Sequence, residues 1–231
     1  MSPSPSSFWF LDKPANQRSR LTWDTAAGPR HAKNICPLNP AHNSFGSRLG
    51  DLHLVLPSDP LDDFVWTWCS DCLVQDKVLH QLTTEGFTGF NPRPVHLRWE
   101  RPSGQSLPIL WEIEVTGWGG MAPVESGIRR IERCTACGRQ VYTGFTNPEA
   151  LFDEDEWDGN DFFMIWPMSR RIFITDRVSS FLRTHGLTGF EQSRLRQISF
   201  PKLVKTITPL PLRFQFPEDR ARKLGEPLDI Y

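Results

Sequence analysis

The chain of 231 residues and 26.6 kDa is long enough for one large domain, in which roughly 70% of the unfolded surface can be buried. A composition of 39% hydrophobic and 23% charged residues argues against a disordered, collagen-like or membrane-spanning protein. The net charge of −1 favours neither a nucleic acid nor an anionic membrane as partner. Sixteen Phe, nine Trp and twenty Pro favour short strands and turns over long helices.

The N-terminal segment predicts the compartment. Residues 1–13 have no basic stretch, and the apolar run at 8–11 is too short for the core of a signal peptide. No window approaches 18 uninterrupted apolar residues, so we expect no membrane-spanning helix. We therefore expect a cytoplasmic protein with reduced thiols. The sequence does not indicate an oligomeric state.

The predicted elements, in chain order, are mostly strands. Residues 25–50 predict an irregular loop region, and 52–56 alternate apolar and polar residues with the period of two that half-buried strands show. A helix is predicted at 76–85, followed by alternating strands at 95–99 and 111–115. One polar face on each strand favours antiparallel pairing. The pattern predicts an α+β fold rich in antiparallel strands.

A second helix is predicted a hundred residues after the first, within an internal repeat. Residues 76–90 align without gaps to residues 176–190, and eight of the fifteen positions are identical. Each copy reads as a helix with an aspartate N-cap, followed by a glycine and an immediate turn into a strand. We therefore expect Gly86 and Gly186 to have positive φ, and the two helices to have equal length.

The repeat sets the expected domain organisation. Residues 64–66 match 164–166 at the same offset, which extends each copy upstream by a strand. We predict a single domain, residues 1–231, that contains two strand–helix–strand repeats at about 63–100 and 163–200.

Two cysteines have the spacing of a zinc knuckle. Cys134 and Cys137 are separated by two residues and followed by Gly138, so two thiolates can bind one tetrahedral ion across a tight turn. Such a pair supplies half of a four-ligand site. Zinc is therefore the cofactor that the sequence predicts, and two further ligands are required.

Two pairs of residues compete to complete the site. One pair is Cys69 and Cys72, which gives two CxxC motifs, and the other is Cys36 and His42. In the repeat, Cys72 corresponds to Ile172, which opens an apolar strand, so Cys72 is expected to be a small core residue. We therefore favour Cys36 and His42 and keep Cys69 and Cys72 as the alternative.

The same CxxC supports a different function. The segment from Trp68 to Cys72 is similar to the thioredoxin active site, in which Cys69 would be the nucleophile and Cys72 would resolve the mixed disulfide. That chemistry needs the first thiol at a helix N-terminus, whereas the predicted helix begins at Asp76. We therefore predict a non-catalytic binding protein, with a thiol-disulfide oxidoreductase as one alternative. A zinc-knuckle interaction module with an unknown partner is another.

The densest charge cluster is acidic. Six acids lie among the nine residues 153–161 with no basic residue between them. An exposed loop of this kind can steer a basic partner, with its tryptophan as an aromatic anchor. The alternative is that the tryptophan belongs to the core and the acids keep the loop solvated. The candidate partner-binding residues are Asp153, Glu154, Asp155, Glu156, Trp157 and Asp158.

Several segments resemble one family of bacterial proteins. Residues 157–167, 172–178 and 186–189, together with the Cys-Thr-Ala-Cys-Gly motif at 134–138, are similar to the double-CXXCG motif immunity proteins of myxobacteria. The resemblance implies a cytoplasmic protein of a toxin–antitoxin type of system. It implies that the chain binds and neutralises a cognate toxin and performs no catalysis.

The chain departs from that family at the first motif. This motif would begin at Cys36, but Asn39 and Pro40 occupy the positions of its second cysteine and its glycine. A metal site of the family type then requires a substitute ligand, either His42 or the Cys69/Cys72 pair.

Overall fold

The computed structural model describes residues 8–16, 21–57, 60–198 and 206–231. These residues form sixteen strands and three α-helices, which confirms the predicted α+β class. The strands are Phe8–Asp12 (β1), Thr22–Trp23 (β2), His31–Asn34 (β3), Ser44–Arg48 (β4), Leu52–Leu56 (β5), Phe64–Trp66 (β6), Cys72–Gln75 (β7), Phe90–Trp99 (β8), Leu110–Val115 (β9), Gly117–Met121 (β10), Arg130–Arg133 (β11), Gln140–Thr143 (β12), Phe162–Trp166 (β13), Ile172–Thr175 (β14), Glu191–Arg194 (β15) and Thr206–Ile207 (β16). The helices are Asp76–Thr84 (α1), Asp176–Thr184 (α2) and Glu218–Gly225 (α3). Of the helices that the structure describes, none is long and apolar enough to cross a membrane.

Two large sheets contain most of the strands. The first has the order β2-β5-β8-β9-β7-β6 and the second the order β10-β13-β14-β1-β15. The strands predicted at 52–56, 95–99 and 111–115 all lie in the first sheet. β8 and β9 are antiparallel as expected, but β5 runs parallel to β8. β5 can pair parallel with β8 because β6, β7 and α1 form a crossover between the two strands, so this sheet is mixed although most of its pairs are antiparallel.

The two helices of the repeat match each other closely. α1 and α2 each have nine residues, and Gly86 and Gly186 follow them with φ of 67° and 60°. The predicted positive φ of both glycines is confirmed, and so is the equal length of the two helices. The apolar faces of the two helices pack into the same hydrophobic cluster, which also receives β6, β7, β13 and β14. The two repeats therefore share a core.

The aspartates at the helix starts have a different role from the predicted one. Asp76 is the first helical residue and the N-cap is Gln75, whose side chain makes no capping bond. The Asp76 carboxylate instead accepts a hydrogen bond of 2.7 Å from the indole N–H of Trp111. In the second repeat the Asp176 carboxylate accepts the indole N–H of Trp9 at 2.9 Å.

These tryptophans identify a fourth strand in each repeat. Trp111 lies on β9 opposite Val74, and Trp9 lies on β1 opposite Ile174. The second repeat therefore takes its fourth strand from the N-terminal end of the chain. The units have the matching orders β6-β7-β9-β8 and β13-β14-β1-β15.

The first strands of the two repeats match at an offset other than the predicted one. Phe64 lies opposite Val74, and Phe162 lies opposite Ile174. Phe64 therefore corresponds to Phe162, two residues earlier than the sequence alignment places it. The sequence match was wrong here because the turn between the first two strands is longer by two residues in the second unit.

Each repeat is hydrogen-bonded to the other through the turn that follows its helix, and we call this pair of contacts the clasp. The backbone N–H of Phe162 donates to the carbonyl of Thr88, and the N–H of Phe64 donates to the carbonyl of Thr188, both at 2.9 Å. The carboxylates of Asp161 and Asp63 accept the backbone N–H groups of Thr88 and Thr188 at 3.1 and 3.0 Å. The contact is reciprocal, as expected for two copies of one unit related by a pseudo-twofold axis.

The region predicted as an irregular loop, residues 25–50, contains a β-hairpin. β3 and β4 pair antiparallel within it, which corrects the prediction. The base of this hairpin is fixed to the first repeat by two partly buried ion pairs. Arg30 makes two hydrogen bonds to Asp71, and Arg48 makes two ionic contacts with Glu112. The alternation of apolar residues is too weak in β3 and β4 for periodicity to reveal them.

Candidate metal centre

Two hairpins bring the predicted ligands together. Cys36 and His42 lie in the loop between β3 and β4, and Cys134 and Cys137 lie in the turn between β11 and β12. The turn carrying His42 begins at Asn39, whose side chain accepts the N–H of Ala41. This short turn reverses the chain and directs the histidine back towards Cys36.

The four ligand atoms form a compact group. The Sγ atoms of Cys36, Cys134 and Cys137 and a ring nitrogen of His42 all lie within 4.8 Å of one another. The Sγ atoms of Cys36 and Cys134 are 3.7 Å apart, and the Cys36 sulfur is 3.9 Å from Nδ1 of His42. Zinc–sulfur bonds of about 2.3 Å in a tetrahedron place neighbouring sulfurs about 3.8 Å apart. The group therefore has the dimensions of a tetrahedral zinc site, and its three thiols and one imidazole suit that ion.

The thiols of this cluster differ in acidity. A hydrogen bond with His42 is the main cause that lowers the pKa of Cys134 to about 6, which favours the thiolate form of this sulfur. Burial raises the pKa of Cys137 to about 11, and the neighbouring sulfurs of Cys134 and Cys36 add to the effect. Three sulfurs this close cannot all ionise without a cation between them, because like charges repel in a buried site. A divalent ion supplies that charge.

Surrounding groups orient the ligands. Nε2 of His42 lies 3.2 Å from a carboxylate oxygen of Glu132, which leaves Nδ1 to face the sulfurs. A histidine that binds a metal through one nitrogen commonly bonds a carboxylate through the other, which fixes its tautomer and ring orientation. The backbone N–H of Cys36 donates to the side chain of Asn43 at 2.9 Å.

The turn at residues 134–138 is stabilised by its own backbone and by hydrogen bonds from two other parts of the chain. The N–H of Gly138 donates to the carbonyl of Cys134, and Gly138 has φ of 76°, which favours glycine. The carbonyl of Cys137 accepts hydrogen bonds from Arg213 at 2.8 Å and from Asn34 at 3.2 Å. The site is therefore anchored both to β3 and to the C-terminal part of the chain.

Cys69 and Cys72 do not join this cluster. Cys72 is the first residue of β7 and is buried, and burial raises the pKa of its thiol well above the usual value. Cys69 is half-buried in the turn between β6 and β7. The alternative ligand pair is therefore wrong for the metal cluster that the described residues form. Neither thiol lies at the N-terminus of α1, so the arrangement that thioredoxin chemistry uses is not formed.

The acidic loop is not exposed throughout, since Asp161 is buried and Trp157 packs inward. Its acids form a short 3-10 turn at Glu154–Glu156, preceded by Asp153, whose side chain accepts the N–H of Asp155. Trp157 packs edge-on against Phe8 with ring centroids 5.2 Å apart and lies against Phe163 at 5.9 Å. The core role that the sequence allowed for this tryptophan therefore has structural support. Asp153, Asp155 and Glu156 are exposed, Glu154 is half-buried, and Asp158 accepts the backbone N–H of Trp118 at 2.8 Å. The roles of Trp157 as a partner anchor and of the acids as partner-binding residues remain predictions.

We expect Trp157→Ala to destabilise the domain by about 3–5 kcal/mol, because it removes a large ring from an aromatic cluster. The matched control is Asp155→Ser on the same loop, which is exposed and should change stability by less than about 0.5 kcal/mol. Urea unfolding of both variants measures the difference. A Trp157→Ala protein as stable as the wild type would show that the ring does not contribute to the core.

Sequence reasoning found the four cluster residues and missed those that orient them. Glu132 and Arg213 carry no motif, and Arg213 lies 76 residues from the carbonyl that it binds. The sequence offered one usable signal for Glu132, since it is an acid two residues before the knuckle. A comparison of the chain with known families finds no matching family, and a comparison with curated proteins finds no match.

Proposed function

We propose that Cys36, His42, Cys134 and Cys137 bind one structural zinc ion in a non-catalytic binding protein of the immunity type. The observation that carries the zinc site is the number of donors, while the immunity role rests on the resemblance. Four side chains fill the four positions of a tetrahedral ion, whereas catalytic zinc sites keep one position for water or substrate. The ion's role is to join the β3–β4 hairpin to the β11–β12 hairpin.

The surface supports a binding role. Large apolar side chains are exposed at several places, and such residues are frequent in contact sites when they cluster with polar neighbours. The most exposed are Trp68 at 85%, Leu38 at 73% and Ile35 at 67%. Two of the three lie on the loop that carries Cys36 and His42.

The resemblance to double-CXXCG immunity proteins suggests the partner, a cognate toxin, and a cytoplasmic location. The departure from the family at Asn39 and Pro40 is compatible with a metal site. Asn39 caps the short turn that begins at Pro40, and this turn places His42 beside Cys36. In this proposal the histidine substitutes for the second cysteine of the first motif.

The test is neutralisation of a captured partner. Proteins bound to the tagged chain in a lysate of its native bacterium are identified, and each is expressed alone in a heterologous host. We expect one of them to arrest growth and co-expression of the wild-type chain to restore it. A chain that binds zinc but captures only harmless proteins would contradict the immunity role and favour a zinc-dependent interaction module.

A further inference from the structure

A cleft lies between the two repeats, away from the zinc cluster. The β6–β7 turn and the β13–β14 turn face each other across it. It consists of a cavity of about 440 Å³ and an adjoining cavity of about 180 Å³. Both are lined by Cys69 and Ser70 of the first turn and by Ser169, Arg170 and Arg171 of the second.

One arginine on the walls of the cleft has no ion pair among the described residues, while the other charged side chains there are paired. The side chain of Arg170 is exposed and makes no ion pair within the described residues, and Arg171 lies 3.5 Å from Asp12. At the floor, the charges of Arg30 and Arg48 are balanced by Asp71 and Glu112. The cleft therefore suits an anionic group.

The pKa of the neighbouring His31 is influenced by the same arginines. The pKa of His31 is lowered to about 4, mainly by burial; the charges of Arg30, Arg170 and Arg48 act in the same direction, and Asp71 opposes them.

The cleft also contains hydrogen-bonding groups that the described chain does not use. The hydroxyl of Ser169 and Nε of Arg30 are buried and have no hydrogen-bond partner. Buried polar groups are normally satisfied, so an unpaired hydroxyl and an unpaired N–H that line a cleft are available to a ligand. Both can donate to a carboxylate oxygen.

An aromatic side chain is presented at the rim. Trp68 is 85% exposed, yet the turn that carries it is ordered by its neighbours. The N–H of Ser70 donates to the carbonyl of Thr67, and the Thr67 hydroxyl donates to the Asp71 carboxylate. A tryptophan held in solvent beside arginines has the composition of a binding hot spot, because Trp and Arg dominate contact energies.

We propose that this cleft binds an acidic peptide segment of the partner protein, with a carboxylate on Arg170 and an apolar side chain against Trp68. The assignment rests on the proposed function only in taking the partner to be a protein. A nucleic acid fits less well, because such binding uses many phosphate contacts and Arg170 is the one arginine of the cleft without an ion pair among the described residues.

Cys69 allows a direct test with defined probes. Its thiol lines the cleft, and the other four cysteines are buried. Bromoacetyl peptides of sequence Glu-Glu-Phe and Lys-Lys-Phe are reacted with the full chain as purified, and alkylation of Cys69 is followed by mass spectrometry. Rates are divided by that of neutral iodoacetamide to remove differences in thiol reactivity. At low salt we expect the acidic peptide to react about tenfold faster than the basic one, and the ratio to fall below about twofold in high salt.

Three variants locate the effect. Arg170→Glu should abolish the preference, while Arg101→Glu, an exposed arginine away from the cleft, should preserve it. Trp68→Ala should remove the advantage of Glu-Glu-Phe over Glu-Glu-Ala.

Equal rates for the acidic and basic peptides, or an unaltered preference in Arg170→Glu, would overturn the proposal. Protection of Cys69 by oligo-deoxythymidylate at lower concentration than by the acidic peptide would instead assign the cleft to nucleic acid. None of these readouts depends on zinc or on toxin neutralisation, so the two proposals can fail separately.

Discussion

Cys134→Ser should lower the melting temperature by about 10–20 °C, because it removes the cross-link between two hairpins. Cys36 and Cys134 are 98 residues apart in the chain. A covalent link that closes a loop of this size stabilises by about 4–5 kcal/mol in the chain-entropy model, and a tightly bound zinc acts in the same way. For a domain of this length each kcal/mol shifts the melting temperature by about 2–4 °C.

Metal content and thermal unfolding check this expectation together. The wild type purified without added metal should carry about one zinc per chain, and a strong chelator should lower its melting temperature as Cys134→Ser does. His42→Ala should also lose stoichiometric zinc. The matched control is Cys69→Ser, which replaces a thiol outside the cluster and should retain both zinc and stability. Zinc below about a tenth of an equivalent in the wild type would reject the site.

The half of the metal cluster that lies in one short sequence motif could be predicted from the sequence. Cys134, Cys137 and Gly138 form a motif of five residues, and the structure shows the turn that their spacing requires. The choice of Cys36 and His42 needed one further inference, which came from the repeat. Because Cys72 aligned with a strand residue, it could be assigned to the core, and the structure places it there.

The repeat was visible in sequence where its two copies are alike, and hidden where the fold rearranges them. The helices and their glycines share residue types, so they aligned. The fourth strands could not be aligned, because β1 precedes its repeat and β9 follows its own. Their equivalence depends on a tertiary contact, the hydrogen bond from Trp9 or Trp111 to the first residue of a helix. Such a pair has no fixed spacing in the chain.

The reciprocal clasp leads to the second large effect, at Gly89. This glycine has φ of 88°, and a Cβ atom added to it would lie 2.0 Å from the backbone carbonyl oxygen of Phe162. Gly189 has φ of 85°, and its Cβ would lie 2.0 Å from the corresponding oxygen of Phe64. Backbone at this distance cannot move aside without breaking the hydrogen bonds of the clasp. We therefore expect Gly89→Ala to cost about 4 kcal/mol or more.

Gly86→Ala separates the steric clash from backbone strain. Gly86 lies in the same turn with φ of 67°, but no atom lies within 4 Å of its added Cβ. Its replacement should cost about 1–2 kcal/mol, the price of a left-handed conformation for a residue with a side chain. Urea unfolding of Gly86→Ala, Gly89→Ala and Gly189→Ala compares these costs, and soluble yield ranks any variant too unstable to titrate. The symmetry of the clasp requires Gly89→Ala and Gly189→Ala to be similarly damaging and both to exceed Gly86→Ala. If Gly89→Ala proved no worse than Gly86→Ala, the close approach of the two repeats at this turn would be wrong.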